Sequence, residues 1–430
     1  MKMDMPRQDK YGNQIEAALG YARGRILSSS VQDAKRLKHC QTLAANHVRR
    51  GGMHSLGVFT GNCRDYPLLP EDLDGMAEEW VGTSLYYDQI HKACLSHLGA
   101  RDHHATAFFN RTSAGIVATV RALSANRAVL SFVPKAGRSH ASLRRGSLIS
   151  QVALHEFDSL QELALALHTY QPALMVITTV TSELQLLADE DIQAAIQMAQ
   201  AQGAVTLLDE AYGARVRPVL AGGKLSLELG AELSISNSDK AGMCGPRAGM
   251  MAGEPELIAR VQASAFELGL EARAPVIAGI FRALQNYLPS SLGQEAKEAN
   301  LLREALSRRL PELAIETTLL GALISENAMF DYACQHAGLT PQECALVPYE
   351  LSALVGVLML QNHRMLTTNT HGHTGASAAL RLKPIHSAIE RCGGISTVVT
   401  AVESSLQQAS MYLQRLDLAS EILLGHSTNN

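Results

Sequence analysis

The sequence predicts an α/β fold, in which helices flank a mostly parallel β-sheet and a smaller α+β domain follows at the C-terminal end. From about residue 100, short apolar runs alternate with amphipathic stretches of about ten to fifteen residues, which is the pattern of βαβ units. The runs are apolar on both faces, as in strands that helices cover on each side. A chain of 430 residues also has the length for two or three structural units.

The expected elements can be assigned in chain order. Strands are predicted over Ala105–Phe109, Ala128–Val133, Gln151–Phe157, Ala173–Thr179, Val205–Asp209 and Leu233–Ser236. Helices are predicted between and after them, over Ser159–Tyr170, Asp189–Ala201, Glu256–Phe266, Pro275–Tyr287 and Glu295–Arg309. The C-terminal region mixes predicted strands over Leu313–Leu319, His363–Thr368 and Ala378–Leu382 with a helix over Ile395–Leu416, and a loop over Thr368–Gly375.

The N-terminal region differs in charge from the rest of the chain. Its first 60 residues hold ten Lys and Arg against four Asp and Glu, and the apolar spacing of Ile15, Leu19, Tyr21 and Ile26 predicts a helix. This basic arm could contact RNA or an acidic partner, or it could be a solvated helix face or pack on a second subunit. We expect a helical arm over residues 1–60, a large α/β domain over 61–290, and a linking helix with a small α+β domain over 291–430.

Composition excludes several classes of protein. The chain has 37 Lys and Arg against 41 Asp and Glu, a net charge of −4, which argues against a disordered chain or a polybasic nucleic-acid binder. Seven cysteines without a CxxC pair support neither a disulfide framework nor a structural metal site, and fit a reducing cytoplasm. The N-terminus has no apolar signal core, and the apolar run Leu351–Leu360 is about half the length of a membrane span. We therefore expect a soluble, cytoplasmic protein.

The most informative segment is Val205–Gly213 (VTLLDEAYG), where Asp209 ends an apolar strand. A buried carboxylate is costly to desolvate unless a positive partner is near. A second strand-like run, LSISNSDK, ends in Lys240 about 31 residues later. If both strands are parallel, their C-terminal ends lie at the sheet edge where α/β folds bind ligands. An acid and a lysine there suit pyridoxal phosphate (PLP), although they could also be an ordinary strand-end acid and a surface lysine.

Three further loops would reach the same edge. Asn110–Gly115 (NRTSAG) opens a helical pattern and could bind a phosphate through backbone amides and the hydroxyls of Thr112 and Ser113, which could equally be helix caps. His140, in GRSHASLRRG, could stack on a pyridine ring or lie in a polar turn. Thr181 follows the fourth strand and suits the O3′ group of the ring or the substrate, or the cap of the next helix.

The order of these motifs resembles that of the fold type I PLP enzymes, which implies a seven-stranded, mostly parallel sheet. Within them it is most similar to the selenocysteine synthase-like branch, the L-seryl-tRNA(Sec) selenium transferases and their archaeal relatives. The segments that carry the resemblance are FFNRTSAGIVAT, SHAS, DEAYGARVRP, SNSDKAGMCGPRAGMMAG and FELGLEARAPVIAGIFRAL, within about residues 105 to 285.

The resemblance implies a role for each matching residue. Lys240 would bind the cofactor aldehyde, Asp209 would pair with the pyridinium and His140 would stack on the ring, so these three would be catalytic. The cofactor-binding residues would be Arg111, Thr112, Ser113, His140, Thr181, Asp209, Tyr212, Ser236, Ser238 and Lys240. Ser113 and Arg111, with Ser236 or Ser238, would hold the phosphate. Tyr212 stands where the oxoamine synthases carry a His near O3′, which leaves its role open.

Two candidate substrate-binding residues follow. Gly375–Lys383 (GASAALRLK) resembles the strand on which fold type I enzymes place an arginine for the substrate α-carboxylate, so Arg381 is the candidate, unless it is merely exposed at a strand end. Arg215 and Arg217, in GARVR, could bind a second anion of the substrate or a neighbouring carboxylate.

The resemblance favours a PLP-dependent lyase or transferase that eliminates or replaces a C–N, C–S or C–Se substituent of a small amino acid, or of a phosphorylated or sulfur-bearing derivative, through a Cα carbanion. A tRNA substrate fits poorly, because the arm is short and the net charge is negative. The alternatives are decarboxylative acyl transfer of the oxoamine synthase type and PLP binding without turnover. We expect at least a homodimer, with Phe266–Ala274 (FELGLEARA) reaching the partner's cofactor, and neither a membrane nor a metal as partner.

Overall fold

The computed structural model describes residues 8–371, 377–385 and 387–425. Two compact units account for them. The first unit runs over residues 62–293, and the second combines residues 8–61 with 294–425. Residues of the expected N-terminal arm are thus part of the second unit.

A seven-stranded sheet forms the centre of the first unit. Its strands, in chain order, are β1 Ala105–Phe109, β2 Val129–Phe132, β3 Leu154–Phe157, β4 Leu174–Thr178, β5 Val205–Asp209, β6 Leu233–Asn237 and β7 Gly249–Gly253. The spatial order is β1-β7-β6-β5-β4-β2-β3. β7 is antiparallel to both of its neighbours, and the other adjacent pairs are parallel. The predicted α/β fold class, fold type I, is confirmed.

Helices connect and cover these strands. In the first unit they are Pro70–Asp74, Gly82–Leu85, Tyr87–Leu98, Thr112–Leu123, Ala141–Ile149, Leu160–Tyr170, Asp189–Ala201, Gly213–Leu220, Pro255–Leu268 and Ala274–Asn286. Pro289–Arg309 crosses the division between the units. Every residue of β4, β6 and β7 is buried, as expected for strands that helices cover on both faces.

The second unit is an α+β structure that is built around one almost entirely buried helix. From Pro348 to Leu360, each residue of the helix Pro348–His363 is buried. The other helices are Ser30–Gly51, Glu326–Ala337, Ala388–Arg391, Ile395–Ser410 and Leu416–Leu424. An antiparallel sheet has the order Leu380–Leu382, Gly321–Ile324 and Glu316–Thr318, and Gly57–Val58 pairs in parallel with Met365–Leu366.

Several local predictions for this unit are wrong. The segment around Ile15 forms turns and isolated bridges rather than a helix, and Gly20 there has a φ of +85°. Leu19, Tyr21 and Ile26 are nonetheless buried in the core. The predicted helix Ile395–Leu416 ends at Ser410, and a second helix begins at Leu416. The predicted loop is a 3₁₀ turn over Thr368–His371, and its remainder lies outside the described residues. Across the described chain, no helix combines the length and apolarity that a membrane crossing requires.

Candidate active site

The C-terminal edge of the parallel strands gathers the predicted site residues of the first unit. Asp209 is the last residue of β5, and Lys240 follows the end of β6 by three residues. The helix that begins at Thr112 follows β1, and His140 caps the helix that follows β2. Because β1, β2, β5 and β6 all run in the same direction, each of these groups lies at the same edge.

Asp209 is a buried acid with an unusually high proton affinity. Its side chain is 4% exposed, and its Oδ1 accepts a hydrogen bond from the backbone N–H of Ala211 at 3.4 Å. Burial raises the pKa of Asp209 to about 6, while Lys240 opposes the rise. At neutral pH the carboxylate is therefore mainly ionised, yet close to the range in which it can share a proton with a basic ring nitrogen.

Lys240 is a partly buried amine whose charge is disfavoured. Its Nζ lies 4.8 Å from the centroid of the Tyr212 ring. Burial lowers the pKa of Lys240 to about 8, and the carboxylates of Asp239 and Asp209 oppose the change. A neutral amine is the form that attacks an aldehyde or accepts a proton. The site thus increases the fraction of Lys240 that is reactive near neutral pH.

His140 presents a neutral ring in a fixed tautomer. Its Nδ1 accepts a hydrogen bond from the backbone N–H of Ser142 at 3.2 Å, which caps the helix Ala141–Ile149. The Nδ1 atom also lies 2.8 Å from Ser142 Oγ. Burial lowers the pKa of His140 to about 3, and Lys240 and Arg111 contribute to this. Because Nδ1 is the acceptor, the neutral ring carries its proton on Nε2.

The start of the helix Thr112–Leu123 supplies an anion-binding element. The first backbone N–H groups of a helix have no intrahelical acceptor, so those of Thr112 and Ser113 can bind a phosphate. Thr112 Oγ1 donates a long hydrogen bond of 3.4 Å to the carbonyl of Ser236. Gly249 on β7 is required here, since a Cβ at that position would lie 2.9 Å from the Thr112 backbone.

Four guanidiniums interact electrostatically with Lys240 or His140, and we call them the basic cluster: Arg64, Arg111, Arg145 and Arg247. Burial lowers the pKa of Arg247 to about 9, and Arg64 and Arg111 lower it further. Burial likewise lowers the pKa of Arg111, with contributions from Arg64 and Arg145. These mutual effects place the four cations in one electrostatic environment.

Asp239 provides one carboxylate to the basic cluster. Its Oδ2 lies 3.3 Å from Nε of Arg64. Arg64 reaches this position because the segment before it is tied to the lysine loop by β-bridges, Asn62 to Lys240 and Cys63 to Cys244. Asp239 also favours the charged forms of Arg111 and Arg247.

Some predicted cofactor ligands are already used by the protein. Ser236 Oγ donates to the carbonyl of Glu210 at 2.9 Å, and Ser238 Oγ donates to the carbonyl of Pro246 at 2.5 Å. Neither hydroxyl therefore has a proton left for a phosphate. Thr181 Oγ1 accepts from the backbone N–H of Gln185 at 3.1 Å, so its hydroxyl closes a local turn.

The two arginines of the GARVR segment also have internal partners. Arg215 is 1% exposed and donates to Asn237 Oδ1 at 2.7 Å, with its Nη1 3.0 Å from His97 Nε2. This contact set does not support the predicted substrate contact of Arg215. Arg217 pairs with the buried carboxylate of Glu210 and donates to Asp189 at 2.7 Å. Burial opposes the charge of Arg217, but these two acids outweigh it and raise its pKa.

Arg381 lies in the second unit. It is the central residue of the strand Leu380–Leu382 and is paired in register with Leu323. Its side chain is 7% exposed, so it is not the exposed strand-end arginine of the alternative interpretation.

Sequence reasoning missed most of the basic cluster. Arg247 and Arg145 stand inside quoted motifs, GPRAG and SLRRG, and their proximity to Lys240 and His140 in the chain was an available signal. Arg64 had none, because its contact with Asp239 depends on a tertiary pairing between segments about 175 residues apart.

The chain is similar to known proteins whose names include pyridoxal phosphate, which agrees with the cofactor predicted for this site. A protein named UPF0425 pyridoxal phosphate-dependent protein, from Methanothermobacter thermautotrophicus, is 31% identical over 357 residues, which is 83% of this chain and 89% of that protein. The chain belongs to this family. A relative of the same family name from Methanococcus maripaludis is 26% identical over 380 residues, 88% of this chain and 99% of its own length. No protein-family model matches the sequence.

Solved structures show the same fold at low identity. Pyridoxamine-pyruvate aminotransferase from Mesorhizobium loti has a TM-score of 0.54 and 13% identity, over 86% of this chain and 96% of that one. Alanine–glyoxylate aminotransferase from Nostoc sp. has a TM-score of 0.53 and 15% identity, over 82% and 95%. The UPF0425 chain therefore shares a fold with these aminotransferases.

The residues at this edge of the sheet fit PLP, which is the cofactor that the sequence predicts and that the name of the family includes. A lysine with a lowered pKa, a buried acid with a raised pKa and a neutral imidazole lie at one sheet edge. A helix N-terminus and the basic cluster offer the positive environment that a phosphate needs.

Proposed function

We propose that this UPF0425 protein is a PLP-dependent lyase or transferase that eliminates or replaces an anionic substituent at Cβ of a small amino acid. The observation that carries the proposal is the charge of the basic cluster. The four guanidiniums share one electrostatic neighbourhood, in which Asp239 offsets part of their positive charge. A phosphate monoester carries about two negative charges, and we infer that the basic cluster binds a second anion beside the cofactor phosphate.

The site residues have distinct proposed roles. PLP, when bound, supplies an electron sink for the electron pair that remains on Cα after its proton is lost. Lys240 Nζ binds the cofactor and accepts the Cα proton, for which a pKa of about 8 is suited. Asp209 holds a proton at the pyridine nitrogen, and His140 stacks on the ring. The amides of Thr112 and Ser113, with Arg111, bind the phosphate.

The basic cluster would act on the leaving group. When the bond between Cβ and its substituent breaks, the substituent leaves with the electron pair and its negative charge grows. Fixed guanidiniums at that position stabilise the developing charge without having to reorganise. This supports elimination or replacement of a phosphate-like or sulfonate-like group, and it agrees with the motif resemblance to the selenocysteine synthase-like branch.

The test uses the PLP-loaded enzyme with O-phospho-L-serine, L-cysteate, L-serine and L-alanine as probes. We expect release of inorganic phosphate from O-phospho-L-serine together with loss of its Cα proton, and little reaction of L-alanine beyond proton exchange. Arg247→Met should raise KM for the two anionic probes at least about tenfold, because a hydrogen bond between charged groups is removed. Lys240→Ala should remove the visible absorption of the lysine-bound cofactor.

Two outcomes would overturn the proposal. One is transfer of the amino group to a 2-oxo acid with the Cβ substituent retained, which would make the protein an aminotransferase. The other is equal turnover of anionic and neutral amino acids by wild type and by the Arg247→Met variant. A requirement for an acyl-CoA would instead identify an acyltransferase.

We further propose that the enzyme is at least a homodimer. Large apolar side chains are exposed over a short stretch of the first unit, with Leu73 at 66%, Trp80 at 90% and Leu85 at 60%. Phe266, in the segment predicted to reach the partner, is 57% exposed. Such a concentration of exposed apolar surface is typical of interaction sites. Light scattering that finds a monomer with full PLP occupancy at micromolar concentration would refute this.

A further inference from the structure

Arg215 is a buried arginine whose hydrogen-bond partners are neutral groups. It lies on the helix Gly213–Leu220, and its guanidinium contacts side chains and one backbone carbonyl. Across the part of the chain that the structure describes, it forms no ion pair within hydrogen-bond distance, and burial lowers its pKa. A buried cation without a carboxylate partner is costly. The hydrogen bonds of Arg215 have to offset that cost.

These hydrogen bonds hold the end of β6. Nη2 of Arg215 donates to Oδ1 of Asn237 at 2.7 Å, and Nη1 donates to Oγ of Ser236 at 3.4 Å. Ser236 and Asn237 are the last two residues of β6, and Lys240 follows three residues later. Beyond the lysine, Sδ of Met243 lies 4.0 Å from Nη1. The guanidinium thus contacts the chain on both sides of Lys240.

The side chain of Asn237 also holds the turn that follows Asp209. Its Nδ2 donates to the carbonyl of Ala211 at 2.7 Å, and Nη2 of Arg215 makes a longer contact of 3.5 Å with the same carbonyl. The backbone N–H of Ala211 in turn donates to Oδ1 of Asp209 at 3.4 Å. Because a guanidinium only donates and a carbonyl only accepts, the two partners of Asn237 fix the orientation of its amide.

His97 holds the opposite side of the guanidinium. Its Nε2 lies 3.0 Å from Nη1 of Arg215, and since an arginine only donates, Nε2 is the acceptor. Burial lowers the pKa of His97 to about 3, and Arg215 lowers it further, so the ring is neutral. The ring packs edge-on against Tyr287, with the ring centroids 5.4 Å apart. Arg215 is therefore held between the helix Tyr87–Leu98 and β6, within the first unit.

We propose that Arg215 is a positioning residue that fixes the turn after Asp209 against the loop of Lys240, so that the two groups keep the separation that PLP requires. It acts through Asn237, whose amide it orients, and not by contact with the cofactor or the substrate. The inference rests on the roles proposed above for Asp209 and Lys240, and not on the reaction that follows. An arginine suits this position because its planar guanidinium donates several hydrogen bonds in fixed directions.

The test uses the full-length PLP-loaded protein and two measurements that do not involve turnover. ¹⁵N NMR of PLP labelled at the ring nitrogen reports whether that nitrogen is protonated, as a function of pH. The rate at which PLP is lost after dilution is followed by the visible absorption of the lysine-bound cofactor. Wild type is compared with Arg215→Met, Arg215→Lys, Asn237→Ala and the double variant that combines Arg215→Met with Asn237→Ala.

A matched control separates positioning from stability. Leu163 is a fully buried residue of the same unit, on the helix Leu160–Tyr170 and outside this set of contacts. Leu163→Ala leaves a cavity and destabilises the unit. It should nonetheless keep the wild-type protonation of the ring nitrogen and the wild-type rate of PLP loss. Thermal denaturation of each variant provides the baseline for this comparison.

We expect Arg215→Met to lose PLP at least about tenfold faster than wild type, and its ring nitrogen to lose the proton at a pH at least about one unit lower, since Asp209 is no longer held in place. Arg215→Lys should behave like Arg215→Met, because lysine keeps the charge but not the planar contacts. The double variant should be no worse than the more affected single variant, since both changes break the same chain of contacts. Should Arg215→Met fail to fold, Arg215→Lys and Asn237→Ala carry the test.

Three results would overturn the inference and leave the proposed reaction untouched. Wild-type PLP retention and ring protonation in a folded Arg215 variant would show that this arginine contributes to stability alone. Full recovery of both in Arg215→Lys would mean that the charge matters and the geometry does not. Effects of Arg215→Met and Asn237→Ala that add in the double variant would show that the two residues act separately. A wild-type ring nitrogen without a proton would instead contradict the role of Asp209 itself, and with it this inference.

Discussion

Replacing Lys240 by methionine should stabilise the cofactor-free protein at neutral pH. The pKa of Lys240 falls from 10.5 in an unfolded chain to about 8 in the folded protein. A difference of about 2.5 in pKa corresponds to about 3 kcal/mol of unfolding free energy. Because Lys240 is partly exposed, solvent screens part of this penalty, and we expect the substitution to stabilise the protein by about 2 kcal/mol. Methionine has a similar length and carries no charge, so the variant avoids this cost.

The effect has a defined pH dependence. Below about pH 8 the lysine is charged in both states, and the folded protein bears the full penalty. Between about pH 8 and 10.5 the folded protein loses the proton before the unfolded chain does, so wild-type stability rises with pH. The difference between wild type and Lys240→Met should therefore be largest at pH 7 and become small near pH 10.

Urea denaturation of the cofactor-free proteins at pH 7, 8.5 and 10 measures this. Lys92→Met serves as the control, because Lys92 is an exposed lysine of the same unit. Its stability should follow that of wild type at all three pH values. A Lys240→Met variant that is less stable than wild type at pH 7, or whose advantage does not shrink as the pH rises, would refute the view that the site disfavours the charged amine.

Three other substitutions test separate parts of the site. Asp209→Asn should retain PLP after desalting but lose most turnover, because an amide cannot hold the proton at the pyridine nitrogen; normal activity would contradict its role. Arg217→Met should lower the free energy of unfolding by about 3 to 5 kcal/mol in urea denaturation, since it leaves the buried carboxylate of Glu210 unpaired; a loss below about 1 kcal/mol would contradict this. Gly249→Ala should weaken PLP binding in a fluorescence titration, because the added Cβ displaces the helix start that binds the phosphate. The control is Gly293→Ala, which should bind PLP normally because its added Cβ meets no neighbouring atom.

The sheet could be predicted from the sequence because its strands are short apolar runs separated by amphipathic helices. β7 was not among the predicted strands. Its sequence, GMMAG, contains two glycines and no β-branched residue, and it becomes a strand by pairing with β1 and β6 on both sides. The opposite error occurred near Ile15, where a helical spacing of apolar residues is overridden by glycines and by packing in the second unit.

The site could be predicted in part for a related reason. Asp209, Lys240 and His140 follow strand ends, so the topology alone places them at one edge. Hydroxyl groups gave no comparable signal, since the sequence does not show that Ser236 donates to a backbone carbonyl. Long-range contacts such as that of Arg64 with Asp239 were likewise invisible. Site residues whose position follows from the strand order could therefore be predicted from the sequence, and those whose position depends on long-range contacts could not.

The neighbouring acids Asp209 and Glu210 show how the fold separates a chemical role from a structural one. Both are buried, yet Glu210 pairs with Arg217 and accepts a hydrogen bond of 2.7 Å from Thr179, so its charge is balanced within the protein. For Asp209, burial outweighs the attraction of Lys240 and raises the pKa to about 6. A basic ring nitrogen beside Asp209 would relieve that cost, whereas it would gain little beside an acid already paired with an arginine. Because Arg217 already pairs with Glu210, Asp209 is the carboxylate whose protonation state depends on the cofactor.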